Sequence, residues 1–122
     1  MEWIGGRRFP LPPKGAPLPL VLFEEPCVFR RAAIDALDQA GVAWRVVFTT
    51  PSLSVLWAAV DAGLGMTART AMGRPRGLRR LTHRRLPALP RVGLWLIDGT
   101  SERTSAQETL RTILTEALRA PG

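Results

Sequence analysis

Cysteine is almost missing from this 122-residue chain. Cys27 stands alone, which excludes an internal disulfide, and with one histidine, His83, it cannot assemble a Cys/His zinc site. Tyrosine is absent, and Lys14 is the single lysine. No run of about 18 apolar residues is present to span a membrane, and Met1-Glu2 does not lead into the basic and then apolar stretch of a signal peptide. These absences predict a cytoplasmic protein with no structural metal, no bound cofactor and no membrane partner. Acidic residues are also scarce, 10 against 17 basic ones, so the formal net charge of +7 rests on arginine. Arg69, Arg74, Arg76, Arg79, Arg80, Arg84, Arg85 and Arg91 follow one another with no acidic residue between them. That run has two readings: the footprint of a polyanion site, or a solvated loop and strand edge.

What is there suffices for one domain. The chain is 46% hydrophobic, and a chain of this length buries roughly two-thirds of its unfolded surface. After Glu2-Trp3-Ile4 and Gly5-Gly6, the prolines at 10, 12, 13 and 17 force an extended connection. Leu18 to Phe23 reads as a buried strand, ended by Glu24-Glu25-Pro26. From Cys27 the period becomes helical through Val28, Phe29, Ala32, Ala33, Ala36, Leu37 and Ala40, with Gly41 in a C′ position. The unit then repeats. Trp44 to Phe48 is the next strand, and Thr49-Thr50-Pro51-Ser52 supplies the cap of a helix whose apolar face is Leu53, Leu56, Trp57, Val60 and Leu64. Gly63 and Gly65 break that helix, Met66 to Ala71 forms a third strand, and 73 to 90 is irregular. Val92 to Ile97 is a further strand, and Ser105 with Glu108 caps a closing helix striped by Leu110, Ile113, Leu114, Ala117 and Leu118. Successive strand–helix–strand crossovers predict an α/β fold with a small, largely parallel sheet flanked by helices.

Catalysis finds little support in these residues. Neither Cys27 nor a serine has an evident base, and Glu24 and Glu25, adjacent on an extended chain, point to opposite faces. Gly63-Leu64-Gly65 follows a helix, whereas a phosphate-binding glycine loop opens one. The chain is therefore not expected to be an enzyme.

The block Leu20 to Arg31, then Trp44 to Leu53, then Ala62-Gly63-Leu64-Gly65-Met66-Thr67, resembles in order and spacing the effector-binding domain of LysR-type transcriptional regulators. Glu2-Trp3-Ile4-Gly5 resembles the strand that crosses from the first lobe of that domain to the second. Leu86 to Pro90 with Val92 to Leu96 resembles the strand crossing back, and 105 to 119 the closing helix. The resemblance implies one lobe of a type 2 periplasmic-binding-protein-like domain, with the helix-turn-helix and the first lobe not among the residues matched. It divides the chain into a crossing strand and Pro-rich linker (1–17), an effector-binding lobe (18–98) and a C-terminal helix (99–122).

The function implied is the sensing of a small, anionic effector, with DNA reached only through a helix-turn-helix that this chain does not match. Open α/β sheets bind ligands beyond the carboxyl ends of their strands. Two openings there supply the candidate residues. Thr49, Thr50 and Ser52 bring hydroxyls and backbone N–H groups to the second helix, as an anion cradle or as plain capping. Glu25, Cys27, Phe29 and Arg30 form the other opening, in which Cys27 is either a lowered-pKa thiol or a small hydrophobe. Arg30 has an effector anion, Glu24 or Asp35 as prospective partners. Two alternatives remain: a dimerising interaction module without ligand, and non-specific polyanion binding through Arg69–Arg91. Self-association is expected because Trp3, Ile4, Trp95 and the Leu110, Ile113, Leu114, Leu118 stripe belong, by the resemblance, to elements that pack on a first lobe.

Overall fold

The computed structural model describes residues 1–93, 99 and 104–119. The chain divides into two units, Met1–Arg91 and Val92–Gly122. The first contains β1 (Glu2–Gly6), β2 (Leu18–Phe23), α1 (Val28–Gln39), β3 (Trp44–Thr50), α2 (Leu53–Asp61), β4 (Thr67–Arg69) and β5 (Leu78–Arg80). The second contains α3 (Ser105–Arg119).

Alternation along the strands sorts the apolar side chains onto two faces. Leu18, Leu20 and Leu22 of β2 join Trp3, Met66 and Ala68 under Ala33 and Leu37 of α1. Val21 joins Ile4 and Leu78 under Leu56, Ala59 and Val60 of α2. One helix thus covers each face. Both helices end in the same way: Gly41 (φ 68°) and Gly63 (φ 82°) adopt the left-handed conformation, and the N–H groups of Val42 and Leu64 reach back to the carbonyls of Leu37 and Ala59.

The α/β reading holds. β2 and β3 pair in parallel, with Leu18 opposite Trp44 and Phe23 opposite Thr50, and a parallel bridge joins Leu20 to Met66. β1 runs antiparallel between β4 and β5, so every other strand shares one direction. The joint between the β4-β1-β5 sheet and the β2-β3 pair is narrow. Its backbone bonds run from Val21 N–H to the Met66 carbonyl (2.8 Å) and from Met66 N–H to the Pro19 carbonyl (2.9 Å). Gly65 makes that approach possible, since a Cβ there would lie 2.6 Å from the Pro19 oxygen.

Four expectations are corrected. Trp3 and Ile4 are not part of an unpartnered face: they are 4% and 0% exposed, because β1 sits in the middle of its sheet and packs on both layers. β5 lies in the stretch expected to be irregular. Its Leu78 fills the α2 side of the core while Arg79 and Arg80 face outward, so three residues carry no visible period. The third strand is shorter than expected, Thr67–Arg69. The cap of α3 falls one residue earlier than Ser105: Thr104 Oγ1 accepts from Gln107 N–H at 3.2 Å, and Gln107 Oε1 accepts from Thr104 N–H at 2.8 Å. The strand expected over 92–97, with Trp95, falls largely outside the described residues. The segment leading into it runs beside β1, where Trp3 Nε1 donates to the Pro87 carbonyl (2.9 Å) and the Met1 ammonium to that of Pro90 (3.2 Å). No helix among the described residues is long and apolar enough to cross a membrane.

Candidate functional site

Parallel strands deliver their carboxyl ends to one edge, and here that edge collects both openings. The ends of β2 and β3 are tied by Glu24 N–H donating to the Thr50 carbonyl at 3.2 Å. α1 starts beyond the first strand and α2 beyond the second, so the two helix N-termini share the edge. Thr49, Thr50, Ser52, Glu25, Cys27, Phe29 and Arg30 all lie along it or on the first turn of α1.

The two helix starts differ in how their N–H groups are satisfied. At α2, Ser52 is the N-cap and its Oγ accepts from Val55 N–H at 3.4 Å, while the buried Thr50 Oγ1 accepts from Ser52 N–H at 3.1 Å. Thr49 points outward and is exposed. At α1, Cys27 has extended N-cap geometry (φ −148°, ψ 122°) and supplies no side-chain cap. The first turn of α1 carries no acidic residue either, so its positive end is not neutralised locally.

Arg30 folds back across that turn. Its Nη1 donates to the Phe23 carbonyl at 3.0 Å, and its Nε lies 3.6 Å from Glu25 Oε1, buried without a hydrogen bond of its own. Its carboxylate partner within the protein is thus Glu25, where Glu24 or Asp35 had been the alternatives to an effector anion. Glu25 itself is 80% exposed, which leaves this ion pair weak. A hollow of about 410 Å³ opens here, lined by Glu25, Pro26, Cys27, Arg30, Arg31, Ile34 and Asp35. A larger trough, about 830 Å³, runs along the outer face of α1 against Pro87–Pro90. It starts at Val28 and shares Arg31 and Asp35 with the hollow, but most of its lining runs down α1 and is apolar.

Arg69 belongs to this edge and was grouped on sequence grounds with the basic run. It closes β4, and continuing the Leu20–Met66 register by three residues sets it beside Phe23. Its guanidinium carbon lies 5.1 Å from the ring centre of Phe23 and 4.5 Å from that of Phe29, two cation–π contacts. Burial lowers its pKa below the ordinary arginine value, with nearby Cys27 acting in the opposite sense.

The rest of the basic run is largely occupied by the lobe itself. Glu2 pairs with Arg74 and lies 3.9 Å from Arg80. Arg79 donates to the Arg7 carbonyl (3.0 Å), and Arg85 to that of Pro12. These bonds tie the β5 region to the entering chain.

Over residues 7–119 the sequence matches the family described as the LysR substrate binding domain. It is 38% identical over 96 residues to the HTH-type transcriptional regulator PecT of Dickeya dadantii (strain 3937), covering 75% of this chain and 30% of that protein. It is 38% identical over 81 residues to the HTH-type transcriptional regulator DgdR of Burkholderia cepacia, covering 66% of this chain and 28% of that protein. The chain therefore spans a little under a third of these relatives. Its fold is that of the Synechocystis PCC6803 CcmR regulatory domain, solved in complex with 2-PG. That likeness has a TM-score of 0.60 at 18% identity and covers 99% of this chain and 64% of that one.

Proposed function

The chain belongs to the LysR substrate-binding domain family, whose members are transcription regulators and not enzymes, and from that membership we propose that the edge shared by β2, β3 and β4 takes up a small anionic effector. The observation that carries this reading is the convergence of two helix N-termini, one of them without a side-chain cap, on a single strand edge. The regulatory domain with the same fold that holds 2-PG supports it. Thr49, Thr50 and Ser52 offer hydroxyl donors from the α2 side. Cys27, Phe29, Arg30 and Glu25 shape the α1 side, where Arg30 supplies charge and the hollow supplies room. In the whole regulator, DNA is read by a helix-turn-helix segment outside this chain, and effector uptake biases that reading.

Thermal unfolding with 2-PG, other small anions and their uncharged amides tests the proposal. An anion that binds the folded lobe raises its midpoint with concentration, by an amount set by RT ln(1 + [L]/Kd). Equal effects of charged and neutral compounds would remove the anionic reading.

Self-association is a second reading, favoured by α3. Leu110, Ile113, Leu114 and Leu118 are 55, 56, 40 and 37% exposed along one stripe of that helix. Thr109, Thr112 and Thr115 meanwhile return their hydroxyls to the carbonyls four residues back. Sedimentation at micromolar concentration should show a dimer, and a folded monomer at all concentrations would end this reading.

A further inference from the structure

Arg69 presents a charge that the lobe leaves unanswered. In the antiparallel register of β1 and β4 the residue facing it is Glu2, the natural counter-ion. Glu2, however, turns to Arg74 and Arg80, and no other carboxylate among the described residues lies within ion-pair distance of Arg69. Nor does its guanidinium donate a hydrogen bond among those residues. Its partners are two ring faces, Phe23 and Phe29, and the second ring belongs to the first turn of α1. Aromatic faces hold a guanidinium in place without using its N–H edge, and that edge is what a carboxylate or phosphate reads in two-pronged fashion. The clamp sits at the end of a strand, where the uncapped α1 start adds further donors of the same sign.

Resting on the proposed effector site, we infer that Arg69 is its specificity-determining residue, the one that grips the effector's oxyanion, carboxylate or phosphate, while Phe23 and Phe29 fix the guanidinium for that contact. A third strand end, β4, thereby contributes to the site alongside β2 and β3. Arg69 is set apart from the basic run to which it is adjacent in sequence.

The test uses the whole chain and three probes at constant ionic strength: succinate, inorganic phosphate and the neutral succinamide. The Nε–H resonance of Arg69, assigned by through-bond correlation, reports binding down to millimolar affinity. It should shift saturably with succinate or phosphate and stay in place with succinamide; whichever anion binds more tightly identifies the oxyanion. In Arg69→Met, which keeps an apolar side chain between the rings, affinity for that anion should fall at least tenfold while the circular dichroism melt stays cooperative. A saturable stabilisation of the native chain that survives in Arg69→Met but is lost in Thr50→Ala/Ser52→Ala would overturn the role of Arg69 and leave the site standing. No response of the native chain to either anion, in resonance or melting, would overturn both. Should Arg69→Met fail to fold, the resonance of the native chain still decides, because an Arg69 signal indifferent to an anion that shifts the Thr50 and Ser52 amides refutes the inference.

Discussion

Two helices start at the same strand edge, and they solve the same problem differently. α2 closes its own N-terminus: Ser52 caps it, and Thr50, 5% exposed, holds the cap from behind. α1 begins at a cysteine that makes no cap, flanked by an arginine folded onto a carbonyl and another held between rings. A cap of this kind contributes about 0.5–2 kcal/mol, so a helix start without one forgoes stability that its neighbour retains. α2 thus caps itself with its own hydroxyl, whereas no side chain caps α1. Natural proteins break a local rule mostly at functional positions.

Both starts hang from one continuous edge, and the largest expected effect comes from cutting that edge. Gly65→Ala places a methyl group against the Pro19 carbonyl, which is backbone and cannot rotate away. A destabilisation of about 1–3 kcal/mol is expected in denaturant titration, with anion binding lost together on both sides. Binding that persists unchanged would mean that the β2–β4 joint does not position the site.

Removing the α2 cap comes next. Thr50→Ala combined with Ser52→Ala should cost about 1–3 kcal/mol, a lost cap plus a lost buried hydrogen bond. Calorimetry on the folded double variant should show a further loss of anion affinity. Unchanged affinity would confine Thr50 and Ser52 to capping.

The smallest effect sharpens the contrast from the other side. Cys27 already has the extended backbone of a capping residue. Cys27→Ser should therefore gain about 0.5–1 kcal/mol and weaken anion binding, since the new hydroxyl occupies N–H groups of the first turn of α1. A variant that is stabilised yet binds anions as before would show that those N–H groups do not serve the site.

Much of this was legible in the chain, and the exceptions have physical causes. β2, α1, β3 and α2 announce themselves because each keeps one period over several turns or pleats and ends in a recognisable residue, such as Gly41. β1 was expected as a crossing strand, but not its central place in a sheet: its pairing partners β4 and β5 lie far along the chain, so two apolar residues before a glycine pair look unsupported until the sheet closes. β5 has a single buried residue, too few to show a period. At the site, Thr50 and Ser52 stood out because capping is local. Arg69 did not, because neighbouring arginines make it look like one charge among many. Register arithmetic held the missing signal, since a third strand parallel to Leu18–Phe23 brings position 69 level with position 23.

The narrow joint between β2 and β4 gives the lobe a mechanical character. Two panels meet at a short seam, a pair of backbone bonds at Val21 and Met66, above the apolar layer they share under α1. Thr50 and Phe23 belong to one panel, and Arg69 belongs to the other. A molecule gripped by Arg69 and by the α2 start would therefore act as a cross-brace, converting chemical occupancy into stiffness at a seam buried well inside the lobe. Amide exchange at Val21 and Met66 would slow on ligation although neither residue touches the ligand, and it would register occupancy of the edge from inside the protein.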